Sequence, residues 1–276
     1  MAKKLGLVDT HCHLNFKAFR SDYLSVAAEA KKAGLSGIII VGADWQTSQR
    51  AVEISKEINR QLGRFARAAV GIHPTHCDRG GFEEIARLAE DENIVAIGEC
   101  GMDRFHEQDD AAITAQRELF IKQIDLALKL NKPLIIHNRQ ADEDILAILN
   151  KYFCILSDDR QLKCKKLPKM VFHCFSSDWK FAEKVLGQGA FISFTGNITY
   201  GNKKLKKVVE KAPIERIMIE TDSPYLIPEP LRSEGVKRNE PAYVIEVAKK
   251  IAQVKKLDIK TVLPQLYKNS VEFFGL

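Results

Sequence analysis

The chain has 276 residues, of which 45% are hydrophobic and 28% charged, and it carries a net charge of +6. This composition excludes a disordered chain and a small disulfide-stabilised scaffold, and no apolar run approaches the roughly 18 residues of a membrane span. The positive charge permits an anionic partner without requiring one. Because the first residues lead directly into a strand, without a secretory leader, we expect a cytoplasmic protein.

Short runs rich in β-branched residues alternate with helical patterns along the chain. The predicted strands are Leu5–Thr10, Gly37–Gly42, Ala66–His73, Ile94–Glu99, Leu134–His137, Met170–Phe175, Ala190–Thr195 and Arg216–Asp222. The predicted helices follow them at 22–33, 47–61, 82–90, 113–130, 142–150, 178–186, 203–210, 241–254 and 259–273. Several strands are nearly continuous apolar runs, which is typical of parallel strands buried on both faces. Eight strand–helix units predict an α/β fold, a (β/α)₈ TIM barrel built as a single domain.

An open, doubly wound sheet is the main alternative architecture. Such a sheet carries a glycine-rich phosphate-binding turn after its first strand. This chain has Asp-Thr-His-Cys-His at positions 9–13 instead, which favours the barrel. The segment Ser157–Lys169 departs from the strand–helix rhythm, and we interpret it as a surface insertion in the one domain that spans residues 1–276.

Side chains that bind metals occupy the carboxyl ends of most predicted strands. His11 and His13 follow the first strand one residue apart, so both point to one face while Cys12 points to the other. A closed barrel brings the carboxyl ends of all its strands to one rim, where barrel active sites are built. The later predicted strands place four further ligands at this rim: Glu99, His137, His173 and Asp222.

Six such groups, buried together without an ion, would destabilise the fold by several kcal/mol for each unpaired group. The pattern therefore predicts a metal centre. Four imidazoles and two carboxylates, with positions left for water, favour two divalent cations, and Zn²⁺, Mn²⁺ and Mg²⁺ are all candidates. Glu99 is the expected bridge between the cations, and Asp222 is expected to accept the proton of the attacking water. Glu99 and Asp222 are thus the predicted catalytic residues.

Four other polar residues near the strand ends are candidates for supporting roles. Arg139 leans toward the same mouth as His137 and can bind a phosphate or carboxylate, with a salt bridge at the rim as the alternative. His73 precedes Pro74 and can contact substrate or hold a further metal. Asp9 and Glu220 are expected one layer deeper, where each either orients a ligand or pairs with another buried group.

A series of motifs resembles the TatD family of metal-dependent deoxyribonucleases, which belongs to the amidohydrolase-like hydrolases. In chain order the motifs are Val-Asp-Thr-His-Cys-His-Leu (8–14), Gly-Ile-His-Pro (71–74), Ile-Gly-Glu-Cys-Gly-Met-Asp (97–103), Lys-Pro-Leu-Ile-Ile-His-Asn-Arg (132–139), His-Cys-Phe-Ser (173–176), Ile-Ser-Phe-Thr-Gly-Asn (192–197), Glu-Thr-Asp-Ser-Pro-Tyr-Leu (220–226) and Lys-Arg-Asn-Glu-Pro (237–241). The resemblance implies a (β/α)₈ barrel, hydrolysis of DNA from a 3′ end, and metal ligation by the same six residues.

The chain departs from the family pattern in loops at the rim. Thr75 separates Pro74 from His76, and Arg104 follows Asp103 where an aromatic residue is common. The 157–169 insertion and Leu231–Val236 lengthen two further loops. These differences bear on substrate preference rather than on the metal ligands.

The predicted function is a metal-dependent 3′–5′ exodeoxyribonuclease that acts on single-stranded DNA or 3′ ends. One alternative is a metallohydrolase of a small lactone, cyclic amide or phosphoester on the same centre, because fold and metals do not determine substrate. A small closed pocket would favour that alternative, and an open basic groove would favour the nuclease. The other alternative is a partner-binding protein with structural metals, although structural sites are usually closed and rich in cysteine. We expect neither membrane association nor an obligate protein partner.

Overall fold

Eight parallel strands form the central sheet of the computed structural model, which describes residues 6–153, 155–156, 162–163 and 167–276. In order around the sheet they are β1 (Leu7–Cys12), β2 (Leu35–Val41), β3 (Ala66–Val70), β4 (Ile94–Asp103), β5 (Leu134–Arg139), β8 (Met170–Phe172), β9 (Phe191–Phe194) and β10 (Ile217–Ile219). Two short antiparallel strands, β6 (Ile155–Leu156) and β7 (Leu162–Lys163), pair separately. The predicted insertion at 157–169 lies largely outside the described residues.

The sheet closes where the end of β10 meets β1. The backbone N–H of Asp222 donates a hydrogen bond to the carbonyl of His11 at 2.8 Å. The N–H of His13 donates to the carbonyl of Ser223, also at 2.8 Å. These bonds join the first and last strands of the chain, which makes the sheet a closed barrel and confirms the predicted fold class.

Helices cover the outside of the barrel, one after most strands and two after β10. Their bounds are α1 (Tyr23–Lys32), α2 (Trp45–Leu62), α3 (Phe82–Leu88), α4 (Asp110–Leu130), α5 (Asp142–Phe153), α6 (Trp179–Gly187), α7 (Lys203–Lys211), α8 (Val244–Lys255) and α9 (Ile259–Phe274). The local sequence determines where several of these helices begin or end. Asp44 caps α2, because its carboxylate accepts the N–H of Thr47 at 2.9 Å. Asn131 ends α4 in a left-handed conformation with φ of 51°.

Several strand ends differ from the prediction. β1 begins and ends two residues later than expected, and Cys12 at its end donates its Sγ–H to the carbonyl of Ile39, away from the histidines. β8 and β10 end earlier, before Cys174 and Asp222, whose φ values of 43° and 55° break the extended backbone. The predicted ligands next to these strands therefore lie in the first residues after the strands.

Two apolar clusters form the core. The larger one packs the helices against the outer face of the sheet. The smaller one takes side chains from nearly every barrel strand, including Ile39, Ile135 and Met218, and ends at Phe273 and Phe274 of α9. It fills the barrel interior, which is therefore a packed core beneath the rim rather than a pore. Within the described part of the chain, no helix combines the length and apolarity needed to cross a membrane.

Candidate metal centre

The carboxyl ends of the barrel strands surround a cavity of about 760 Å³. His11 lies fully buried next to this cavity. The other five predicted ligands line its wall: His13, Glu99, His137, His173 and Asp222. The structure therefore brings together all six residues that the strand ends predicted.

One oxygen of Glu99 faces the histidines of β1. Its Oε2 lies 3.5 Å from Nε2 of His11 and 4.0 Å from Nε2 of His13. Asp222 joins the same group, with Oδ1 3.3 Å from Nε2 of His13. The Nδ1 of His13 lies 2.9 Å from the carbonyl of Val41 and therefore carries the ring proton, which leaves the lone pair on Nε2. Four donor atoms thus converge on one position.

The other oxygen of Glu99 faces a second group of ring nitrogens. Its Oε1 lies 2.7 Å from Nε2 of His173, 2.9 Å from Nδ1 of His137 and 3.4 Å from Nε2 of His73. The ligand atoms of His73, Glu99 and His137 all lie within 4.8 Å of one another, as do those of His11, His13 and Glu99. Glu99 therefore lies between two groups that can each hold an ion, and His73 belongs to the second.

The electrostatics of these side chains fit divalent cations. Burial lowers the pKa of His11, and it lowers the pKa of His73 to about 3, so both rings stay neutral. Burial raises the pKa of Glu99, but the nearby His173 and His73 outweigh it and hold this pKa well below its usual range. Burial lowers the pKa values of His13, His137 and His173 as well, but the nearby carboxylates outweigh it and raise these pKa values. The cluster thus places an ionised carboxylate among imidazoles, and a divalent cation would replace the protons that these rings carry.

Glycines in β4 allow Glu99 to approach the neighbouring strand. Gly101 has φ of 138°, and a Cβ at this position would lie 2.0 Å from the carbonyl oxygen of His137. A side chain there would push β5 away from β4. The close contact of Glu99 with His137 therefore depends on the absence of a side chain at Gly101.

Asp103 is a buried residue of the centre that the sequence pattern did not predict. Its Oδ2 lies 3.2 Å from Nε2 of His137 and 2.7 Å from Nδ1 of His106. Burial raises the pKa of Asp103, but hydrogen bonds from His137 and His106 outweigh it and lower this pKa. The carboxylate keeps the proton of His137 on Nε2, so that Nδ1 faces Glu99. The period-two spacing of Glu99, Gly101 and Asp103 could have placed Asp103 on the same face as Glu99, but the predicted strand ended at Glu99.

Replacing Asp103 by asparagine is expected to weaken metal binding by about 10–100-fold, because the ring of His137 loses the carboxylate that orients it. Calorimetric titration of the metal-free protein with Mn²⁺ or Zn²⁺ measures this affinity. Asp109→Asn, the same change at the exposed N-cap of α4, is the control and should leave the affinity unchanged. Equal affinities in the two variants would contradict this function for Asp103.

The loop that carries Asp222 is held by Asn239. The amide of Asn239 donates to the carbonyls of Thr221 at 2.9 Å, Tyr225 at 2.6 Å and Leu226 at 3.2 Å. The sequence contained Asn239 only as part of a family motif, with no indication of these bonds. At the opposite end of β10, the buried Asn269 binds two carbonyls in the same way.

Asn239→Ala is expected to destabilise the protein by about 1–3 kcal/mol, because buried carbonyls lose their donor. It should also lower hydrolysis by about 10–100-fold, because the loop of Asp222 loses its fixed position. Asn269→Ala removes equivalent bonds far from the cavity and is the control. Urea unfolding and steady-state rates distinguish the two effects. Both variants should lose similar stability, whereas only Asn239→Ala should show a large loss of rate. A matching rate loss in Asn269→Ala would contradict this expectation.

Asp9 and Glu220 are both buried, but only Glu220 reaches a ring of the centre. Asp9 accepts hydrogen bonds from the N–H of Thr221 at 2.9 Å and from its hydroxyl at 2.6 Å. It therefore fixes the residue before Asp222, and burial raises its pKa to about 8. Glu220 places Oε1 3.5 Å from Nδ1 of His173, and the same oxygen accepts the backbone N–H of Cys174 at 2.5 Å.

Arg139 lines the cavity as predicted, and its guanidinium carbon lies 4.0 Å from the ring centroid of Phe105. The described residues contain no carboxylate paired with it, unlike Arg104, which binds Asp144. Phe105 is 48% exposed, and Tyr225, a residue of the cavity wall, is 54% exposed. The rim therefore presents flat aromatic surfaces beside a cation.

Comparison with known proteins shows the family. The sequence profile described as TatD related DNase matches residues 8–275. The chain belongs to the TatD family of metal-dependent hydrolases. The resemblance inferred from the motifs is thereby confirmed. An uncharacterized metal-dependent hydrolase, YabD of Bacillus subtilis, is 35% identical over 274 residues, which cover 98% of this chain and 99% of YabD.

Two further TatD relatives bear on fold and activity. The 3′-5′ ssDNA/RNA exonuclease TatD of Pantoea ananatis is 29% identical over 276 residues, covering 98% of this chain and 100% of that protein. The crystal structure of YjjV, a TatD homologue from Escherichia coli, superimposes with a TM-score of 0.83 at 24% identity and covers 99% of both chains. The second comparison shows the shared barrel fold.

Two of the departures from the TatD pattern have clear structural contacts. The hydroxyl of Thr75 lies 2.7 Å from Nδ1 of His73 and therefore orients that ring. His76 is displaced by one position and lies at the cavity wall, with Nδ1 2.9 Å from the carbonyl of Ala43. Arg104 turns away from the cavity and binds Asp144.

Proposed function

We propose that this TatD-family chain hydrolyses DNA phosphodiesters with two divalent cations and releases nucleotides from 3′ ends. The observation that carries the proposal is the position of Glu99, whose two oxygens face two separate groups of ring nitrogens. The first ion would be held by His11, His13, Glu99 and Asp222. The second would be held by Glu99, His137 and His173, with His73 beside them.

Divalent cations at these positions supply Lewis-acid polarisation of the phosphoryl group and a water that is acidic near neutral pH. Asp222 accepts the proton of the attacking water. Burial raises the pKa of Asp222, but the contact with His13 and the other nearby imidazoles outweigh it and keep the carboxylate ionised. Its side chain is 16% exposed toward the cavity, where water can reach it.

The rim residues support a nucleic-acid substrate. The guanidinium of Arg139 can form a bidentate hydrogen-bonded pair with a phosphate. Phe105 and Tyr225 offer exposed rings on which unpaired bases can stack, a contact that requires single-stranded DNA. Relatives named 3′-5′ ssDNA/RNA exonuclease, from Pantoea ananatis and Erwinia amylovora, agree with this substrate class.

The test uses metal-depleted protein and an oligodeoxynucleotide labelled at its 5′ end. After addition of Mg²⁺, Mn²⁺ or Zn²⁺, we expect a ladder of labelled products that shortens from the 3′ end. A 3′-labelled strand should release labelled mononucleotide first, and a duplex and an RNA strand measure strand and sugar preference. Asp222→Asn is the inactive control. Absence of nucleotide release with every cation would contradict the proposal.

The composition of the cavity wall favours a second candidate, a hydrolase of a small ester or cyclic amide. Among the described residues, Arg139 is the only lysine or arginine that lines the cavity. The volume of the cavity, about 760 Å³, also falls within the range of small-molecule sites. A panel of lactones, cyclic amides and small phosphoesters tests this candidate. Turnover of one of these compounds without nucleotide release from DNA would favour it over the nuclease.

A further inference from the structure

His106 lies at the cavity wall, joined to the metal centre through a buried carboxylate. Its Nδ1 is 2.7 Å from Oδ2 of Asp103, and the same oxygen is 3.2 Å from Nε2 of His137. The other oxygen of Asp103 accepts the backbone N–H groups of Phe105 and His106, both at 2.9 Å. The carboxylate therefore fixes both the ring of His106 and the turn that carries it.

The two imidazoles that share Asp103 differ in exposure. His137 directs Nδ1 to Glu99 and is occupied there. The side chain of His106 is 50% exposed, and it lines the same cavity as Glu99 and Asp222. Because Nδ1 of His106 is held by Asp103, Nε2 is the nitrogen that is available to a substrate in the cavity.

We propose that His106 is the proton donor to the sugar oxygen that leaves when a phosphodiester is hydrolysed. The proposal rests on the proposed nuclease function. Water attacks phosphorus and forms a new P–O bond, while the bond to the leaving oxygen breaks and its electron pair remains on that oxygen. Nε2–H of His106 transfers its proton to this oxygen, and the ring regains a proton from solvent after product release.

The remaining histidines are less suited to this step. Of the seven in the chain, His11, His13, His73, His137 and His173 direct ring nitrogens at Glu99. His76 lines the cavity, but its nearest carboxylate oxygen, in Asp44, is 3.6 Å away, and its Nδ1 contacts a backbone carbonyl instead. Among the described histidines, His106 alone hydrogen-bonds a buried carboxylate and lines the cavity without directing a ring nitrogen at Glu99.

The test compares two substrates that differ in their need for a proton. The sugar oxygen of DNA is a poor leaving group, whereas bis(p-nitrophenyl) phosphate releases p-nitrophenolate, which leaves without protonation. In His106→Asn we expect kcat on single-stranded DNA to fall by about 100-fold or more, the usual contribution of a general acid. The rate on bis(p-nitrophenyl) phosphate should stay near that of the wild-type protein. Gln108→Ala, an exposed change in the same loop, should alter neither rate.

Each other outcome has a clear meaning. Equal losses on both substrates would show that His106 only maintains the site, and unchanged rates on both would show no role; either result overturns the proposal. KM and the thermal unfolding midpoint are measured in parallel, since a loss confined to KM would also overturn it. If the wild-type protein cleaves bis(p-nitrophenyl) phosphate but not DNA, the nuclease function itself fails, and the proposal for His106 fails with it.

Discussion

Glu99→Gln is expected to reduce hydrolysis by about 10³-fold or more, since several kcal/mol of metal-derived transition-state stabilisation would be lost. Glu99 is the only described side chain whose two oxygens face both groups of ring nitrogens. The amide of glutamine offers one neutral oxygen and a donor nitrogen, so one of the two positions would lose its carboxylate ligand. The remaining group would bind its ion more weakly, because the negative charge between the imidazoles is gone.

Metal content and rate should be measured on the same preparation of Glu99→Gln. We expect elemental analysis to find less than the wild-type content of divalent metal, together with the loss of activity. Glu83→Gln, on the exposed side of α3, makes the same chemical change away from the cavity and should resemble the wild-type protein. A Glu99→Gln protein that keeps its full metal content and full rate would refute the bridging position.

The second large effect is expected for Gly101→Ala, which should lower the free energy of unfolding by about 2–6 kcal/mol. This value combines a strained backbone conformation with a steric overlap, each of which contributes about 1–3 kcal/mol. The overlap arises because the new Cβ would meet the carbonyl oxygen of His137 at 2.0 Å. The same displacement would separate His137 from Glu99, so hydrolysis should fall as well.

Gly63→Ala separates the two contributions to this effect. Gly63 also has a positive φ, of 72°, but no atom lies within 4 Å of a Cβ built there. The variant should therefore lose only the backbone contribution, about 1–3 kcal/mol. Urea unfolding at equilibrium measures both proteins. Equal losses in Gly63→Ala and Gly101→Ala would show that the contact with β5 is unimportant.

The sequence was sufficient to predict the barrel and the residues that gather at its rim. Nearly continuous apolar strands alternating with amphipathic helices permit few other topologies, and parallel closure brings all strand ends together. Once this topology is accepted, His11 and Asp222 become neighbours despite their distance along the chain. The prediction of the six metal ligands thus needed only the position of each residue in its strand.

The remaining features depend on information that local patterns do not contain. Asp103 was missed because β4 continues four residues beyond its predicted end. Asn239 reaches the loop of Asp222 from a separate segment, and its side-chain bonds have no periodic signature. The orientation of the His73 ring toward Glu99 depends on the hydroxyl of Thr75, one of the departures from the family pattern. Side-chain partners of this kind are set by tertiary packing rather than by propensity.

The seam between β1 and β10 makes the centre dependent on nearly the whole chain. The first group of ligands joins His11 and His13 to Asp222, and their backbones are bonded directly at this seam. While the protein is being synthesised, the histidines emerge early and Asp222 emerges only near the end. A nascent or truncated chain therefore has no complete ligand set and no closed barrel, so the hydrolytic centre remains latent until synthesis is nearly finished.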